Sequence, residues 1–247
     1  MRTVLIIIFA FVTFKVQSET VRIAVASNFA RPLETLTQAF ERVSGHHTRV
    51  SSAATGTLRI QIQNGGPFDV FLSADRAAPA KMIEAGLALP ESRFTYAIGK
   101  LALWSMDPDL IDPQGLVLKV GRFRHLSIAN PKTAPYGAAA VEVMARLELL
   151  QDLKSKWVQG ENIAQAHQFV ASHNADLGFV ALSQVVFPGV IPAGSLWIVP
   201  QSLYSPLRQD AVLLSQGSHN PAALAFLDFL KSDVARRLIA SMGYGLD

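Results

Sequence analysis

Four short stretches carry the residue types that could bind a ligand. They are Ala26-Ser27-Asn28-Phe29, Ala54-Thr55-Gly56-Thr57-Leu58, Ala134-Pro135-Tyr136-Gly137-Ala138 and Gly160-Glu161-Asn162-Ile163-Ala164-Gln165. Each follows a β-rich apolar run and opens a helical pattern. In an open α/β sheet, ligands sit outside the carboxyl ends of the strands, where such turns lie. A helix start leaves its first backbone N–H groups without an internal partner. It also carries roughly half a positive charge. Four starts aimed at one point supply about two positive charges from dipoles alone, which suits a dianion. Ser27 and Thr55 add hydroxyl donors, while Gly56 and Gly137 let backbone approach closely. Each turn taken singly also fits ordinary capping: Ser27 or Thr55 could serve only its own helix. Asn162 with Gln165 three residues on reads as a capping box.

Catalytic chemistry finds less support. The chain has no G-x-S-x-G elbow, no H-E-x-x-H, no phosphate-binding P-loop and no G-x-G-x-x-G. Its six histidines (His46, His47, His125, His167, His173 and His219) lack the spacing of metal ligands. Asp69 and Asp75 flank a strand-like run and read as structural residues at its two ends. No resident cofactor and no metal held directly by protein is expected. An absence of cysteine excludes a disulfide framework, a thiol nucleophile, Cys-based metal sites and a lipidated cysteine anchor.

The elements that must position these turns alternate between strand and helix. Strands are expected over 21–26, 49–53, 68–73, 96–105, 126–129, 157–159, 177–182, 197–200 and 209–215. Helices are expected over 31–43, 58–63, 79–84, 137–150 and 162–172, and over 221–241 with a break at 231–232. This alternation implies parallel α/β sheets with helices on both faces. No repeat and no floppy linker interrupts the pattern, so two domains would be joined by continuous strands near 96–105 and 205–214.

Residues 1–18 read differently. Arg2, an apolar run over 4–14 and Val16-Gln17-Ser18 form a secretory leader cut after Ser18, leaving 229 residues. The apolar run is too short to span a bilayer, which takes about 20 residues. Without the leader the balance is 20 basic to 19 acidic residues. Near-neutrality argues against nucleic acid as a partner. The expectation is an exported, unanchored, monomeric protein in the periplasm.

At these same turns the sequence resembles the periplasmic molybdate-binding proteins, the solute receptors of molybdate ABC transporters. The carriers are VRIAVASNF, SSAATGTLRIQIQNGGPFDVFLSAD, RFTYAIGKLALWS, ANPKTAPYGAAAVEV, VQGENIAQAHQFV, ADLGFVALSQ and YSPLRQDAVLL. The resemblance implies the type II periplasmic binding fold, two α/β lobes joined by two crossing strands. The first lobe would comprise 19–98 plus 208–247 and the second 99–207. The implied ligand is molybdate, with tungstate also expected, and the implied partner is an ABC permease. The resemblance assigns the oxyanion to the hydroxyls of Ser27 and Thr55 and to backbone amides of Tyr136 and Ile163. Asn28, Gly56 and Asn162 are secondary candidates beside them. Some relatives place a ligand-reaching tyrosine where this chain has Ala181; Ser183 or a water is the candidate replacement. The alternatives are a receptor or sensor of the same fold for sulfate, thiosulfate or a small organic acid, and an enzyme built on that fold.

Overall fold

A computed structural model of the chain describes residues 18–247. The expected leader, Ser18 apart, lies outside the described residues. The strands are β1 (Thr20–Ala26), β2 (His47–Ala53), β3 (Val70–Leu72), β4 (Phe94–Gly99), β5 (Leu101–Ser105), β6 (Leu126–Ala129), β7 (Trp157–Gly160), β8 (Leu177–Ala181), β9 (Ser195–Ile198) and β10 (Leu207–Leu213). The helices are α1 (Ala30–Ser44), α2 (Thr55–Gln63), α3 (Ala77–Glu84), α4 (Val117–Val120), α5 (Pro135–Arg146), α6 (Leu150–Lys154), α7 (Ile163–Ala171), α8 (Pro221–Lys231) and α9 (Asp233–Ser241).

Two five-stranded sheets result, ordered β2-β1-β3-β10-β4 and β7-β6-β8-β5-β9. Each is mixed rather than parallel throughout. In the first, β1 runs parallel to β2 and β3, while β10 is antiparallel to both β3 and β4. In the second, β6 is parallel to β7 and β8, and β5 is antiparallel to β8 and β9. The antiparallel members are the strands at which the chain changes lobe. A strand that arrives from the other lobe needs no right-handed helical crossover, so the parallel constraint lapses there. The single run expected over 96–105 is accordingly two strands, divided at Lys100 between the sheets. The return passes through 199–206, where the Leu101 amide donates to the Tyr204 hydroxyl at 3.1 Å and ties the two passages together.

Each sheet is covered on both faces. In the first lobe, Ile23, Leu33, Leu36, Phe40, Val70 and Phe226 pack on one face, and Leu58, Phe71, Met82 and Val212 on the other. In the second, Leu103, Leu126, Ile128 and Phe179 pack against Val143 of α5, while Trp104, Val170 and Val180 lie opposite. The apolar spacing of α1 explains its burial: Leu33, Leu36 and Phe40 recur on one side. That helix ends at Gly45, whose φ of 71° is the left-handed cap conformation glycine adopts without strain. The helix expected over 137–150 stops at Arg146 instead. Glu148 takes a φ of 61° and its amide bonds back to Ala145, which closes α5 before α6 begins.

Candidate functional site: a neutral cavity between the lobes

In the first lobe, β1 delivers Ser27 to a 3-10 turn, Ser27–Phe29, that runs directly into α1. The cap residue is Ala26, in extended conformation, and it makes no side-chain cap. Ser27 is therefore not a capping residue, and its hydroxyl has no hydrogen-bond partner among the described residues. β2 delivers Thr55 as the first residue of α2, again behind an alanine cap, Ala54. The Thr55 oxygen accepts from the buried Ala74 amide at 3.1 Å. That bond leaves the hydroxyl hydrogen available to donate.

The second lobe repeats this layout with different chemistry. β6 leads to α5, with Ala134 as an uncapping N-cap and Pro135 at the first helical position. Proline suits that position because its missing N–H would be unpaired anyway. Tyr136 follows, and its amide has no partner inside the helix. Its ring turns into the core, where the hydroxyl accepts from Gln209 Nε2 at 3.1 Å. β7 leads to α7, and here the cap is real: Asn162 Oδ1 accepts from the Ala164 and Gln165 amides at 2.9 and 3.1 Å. Gln165 Oε1 in turn accepts from the Glu161 amide, one residue before the partner a strict capping box would use. Ile163 begins the helix with its amide facing outward along the axis.

The structure brings all four principal candidates together. Ser27, Thr55, Tyr136 and Ile163 line one small cavity of about 10 Å³, with Ala26, Ala54, Ala74 and Ala134 in its wall. It is a small, confined space between the lobes. Among the described residues, no charged side chain lines it. Larger cavities lie elsewhere, among them one at the foot of the first sheet beside Arg22 and Asp69, and one at the rim of the cleft beside Arg59, Lys81 and Lys132.

The secondary candidates divide. Asn28 touches the cavity, but its amide group is committed, donating to Gln209 Oε1 at 2.9 Å and the Tyr244 hydroxyl at 3.0 Å. Gly56 lies off the cavity, and its amide donates to the Thr133 carbonyl of the second lobe at 2.8 Å. Asn162 acts as a cap. Ala181 and Ser183 are not part of the wall. The Ser183 hydroxyl lies 2.9 Å from the Tyr244 hydroxyl and 3.2 Å from the Asn28 carbonyl, so it backs the site without facing it.

Sequence reasoning passed over the polar network behind the cavity. Gln209, fully buried in β10, donates to Tyr136 and accepts from Asn28 and from the Tyr96 hydroxyl. It thereby holds turns of both lobes against each other. A glutamine inside the strand LRQDAVL, ahead of its apolar end, was the available signal. Burial pushes the Tyr96, Tyr136 and Tyr244 hydroxyls well above the usual phenol range, so they stay protonated and neutral. Asp69 accepts from the Arg22 amide and guanidinium, and Asp75 from the Ala78 amide, both structural bonds. Among the described residues, no three His, Cys, Asp or Glu side chains cluster as metal ligands.

Two lobes, two crossings and a neutral interlobe cavity lined by helix starts define a solute receptor of the type II periplasmic binding fold. The family model for bacterial extracellular solute-binding proteins matches residues 21–245, and the chain belongs to that family. It is 55% identical over 230 residues to the molybdate-binding protein ModA of Azotobacter vinelandii, covering 93% of this chain and 91% of that one. It is 48% identical over 221 residues to the molybdate-binding protein ModA of Rhodobacter capsulatus, covering 90% and 86%. A solved structure of a periplasmic molybdate-binding protein from Azotobacter vinelandii superposes with a TM-score of 0.90 at 41% identity, over 92% of this chain and 99% of that one. The sulfate-binding protein SubI of Mycobacterium tuberculosis shares the fold at a TM-score of 0.73 and 13% identity, over 92% of this chain and 86% of that one.

Proposed function

We propose that this protein is the periplasmic receptor that captures molybdate between its lobes and delivers it to an ABC permease. The observation that carries this reading is the convergence of Ser27, Thr55, Tyr136 and Ile163, two from each lobe, on one cavity without a charged side chain. Its partners at the site are the Ser27 and Thr55 hydroxyls and the Tyr136 and Ile163 amides, all donors. Donors without an acceptor favour a fully deprotonated oxyanion, because a protonated one would leave its own O–H unpaired. The helix starts offset part of the ion's lost hydration, and charge-assisted bonds of roughly 1.5–3 kcal/mol each supply the rest. Sulfate has the same charge and shape but is smaller, so donors held at the spacing of the larger ion fit it poorly. Tungstate, of molybdate's charge and shape, should bind alongside it. An ion touching both lobes favours the closed state, and the permease reads that shape. The likeness to the two ModA proteins supports this assignment, and the likeness to the solved periplasmic molybdate-binding protein supports the periplasmic location.

Calorimetry on the exported chain with molybdate, tungstate, sulfate and phosphate tests it. The expected result is tight binding of the first two and weak or no binding of the others. Failure of molybdate and tungstate to bind below about millimolar concentration would falsify the assignment.

A further inference from the structure

The lobes also meet beside the cavity, at a contact outside its wall. The Gly56 amide in α2 donates to the Thr133 carbonyl in the loop before α5, at 2.8 Å. The approach is close enough to depend on glycine. A Cβ at Gly56 would stand 3.0 Å from Thr133 Cα, 3.2 Å from its carbonyl oxygen and 3.3 Å from its Cβ. Two of those three atoms are backbone and cannot swing aside. The φ of Gly56 is not left-handed, so alanine would strain nothing within its own lobe. The crowding exists only while the lobes are together.

The same contact carries a defect. Thr133 Oγ1 is buried and has no hydrogen-bond partner among the described residues. Separated lobes would return that hydroxyl to water, so closing strips its hydration and gives nothing back. One closing step thus gains a backbone hydrogen bond and loses a hydroxyl's solvation.

We propose that Gly56 and Thr133 form an interlobe latch that sets how readily the cleft closes, and hence the receptor's affinity, without touching the anion. Glycine permits the contact, and the stranded threonine hydroxyl holds its strength down. A receptor that must release its cargo is served by closure that the ion has to complete. The affinity consequence rests on the proposed capture of the ion between the lobes; the closure equilibrium itself does not.

Two substitutions should act in opposite directions. Gly56→Ala should disfavour closure and weaken molybdate binding by about tenfold or more, because backbone overlap must be relieved by parting the lobes. Thr133→Val keeps the side-chain shape and removes the stranded hydroxyl. It should favour closure and tighten binding about five- to tenfold. A chain without native cysteine allows closure to be read directly, with a donor–acceptor dye pair on Val43→Cys in the first lobe and Gln151→Cys in the second. In the ligand-free protein the closed fraction should rise with Thr133→Val and fall with Gly56→Ala, and molybdate affinity should follow the same order. Thermal unfolding of each variant checks that both remain folded. An unchanged lobe distance in both folded variants, or a shift of the two in the same direction, overturns the latch. Wild-type protein that closes and opens as described but ignores molybdate overturns the proposed ligand and leaves the latch standing.

Discussion

The two lobes are built to one plan and contribute to the cavity differently. Each sheet has the same order of roles: an outer parallel strand, a central one, a third, then an antiparallel strand that carries the chain between lobes. In each, the turns after the central and outer strands face the cavity: the 3-10 turn before α1 and the start of α2 in the first lobe, the starts of α5 and α7 in the second. The first lobe presents side-chain hydroxyls, Ser27 and Thr55. The second presents backbone amides at Tyr136 and Ile163, whose side chains are spent on its core. A hydroxyl can be deleted by substitution, whereas an amide persists under every substitution except proline. The first lobe should therefore be chemically fragile at the site and the second chemically tolerant.

The largest effect should come from Thr55→Val. The threonine oxygen accepts from the buried Ala74 amide as well as offering its hydrogen to the cavity. Valine removes both bonds and leaves a buried N–H unpaired, a cost of about 1–3 kcal/mol in stability on top of the lost anion donor. Calorimetry and chemical denaturation should both register it. Ser27→Ala should lose about ten- to a hundredfold in affinity with little change in denaturation midpoint, because the Ser27 hydroxyl has no partner among the described residues. Unchanged affinity in Ser27→Ala would return that serine to a purely local role.

The second lobe offers the complementary experiment at Ile163. Proline is accepted at the first position of a helix, and Asn162 before it is already extended, with φ −149° and ψ 176°. Ile163→Pro thus deletes one N–H while keeping α7, and should weaken molybdate binding by about tenfold. Ile163→Val keeps the amide and should bind as wild type, at a stability cost of about 0.5–1.5 kcal/mol for the lost methylene. Equal binding by both variants would mean that the Ile163 amide does not reach the ion, and the contrast between lobes would fail on that side.

How far these contrasts could be read in advance follows from what each level of structure encodes locally. The four turns were legible because strand runs and helix stripes bracket them, and the alanine caps at Ala26, Ala54 and Ala134 free the helix starts. The crossing near 96–105 was legible, but its division at Lys100 into two strands of different sheets was not, since a strand's periodicity does not say which sheet it joins. The early end of α5 was hidden because Glu148 holds a left-handed conformation that residue type alone did not announce. Gln209 and the Gly56–Thr133 contact depend on residues far apart in the chain, and only the assembled lobes bring them together. Their local neighbours carry no trace of the partner.

The smallest effect belongs to a contact between the lobes. Arg31, at the start of α1, lays its guanidinium 3.4 Å from the centre of the Phe187 ring in the second lobe. His167 in α7 stacks on Trp104, with ring centres 4.8 Å apart and planes 5° from parallel. Burial, and after it the charge of Arg31, hold the His167 imidazole below its ordinary pKa of 6.5. The unfolded chain therefore binds a proton there more readily than the folded one. The contribution of His167 to stability is complete above the unfolded value and declines as pH falls below it, by at most about 1.4 kcal/mol per pH unit. Partial exposure of the ring reduces that further. His167→Gln should flatten the fall in urea midpoint between about pH 7 and about pH 5 relative to wild type. Parallel pH profiles for the two proteins would show that His167 carries no proton linkage to folding and that its burial beside Trp104 and Arg31 leaves stability unchanged over this range.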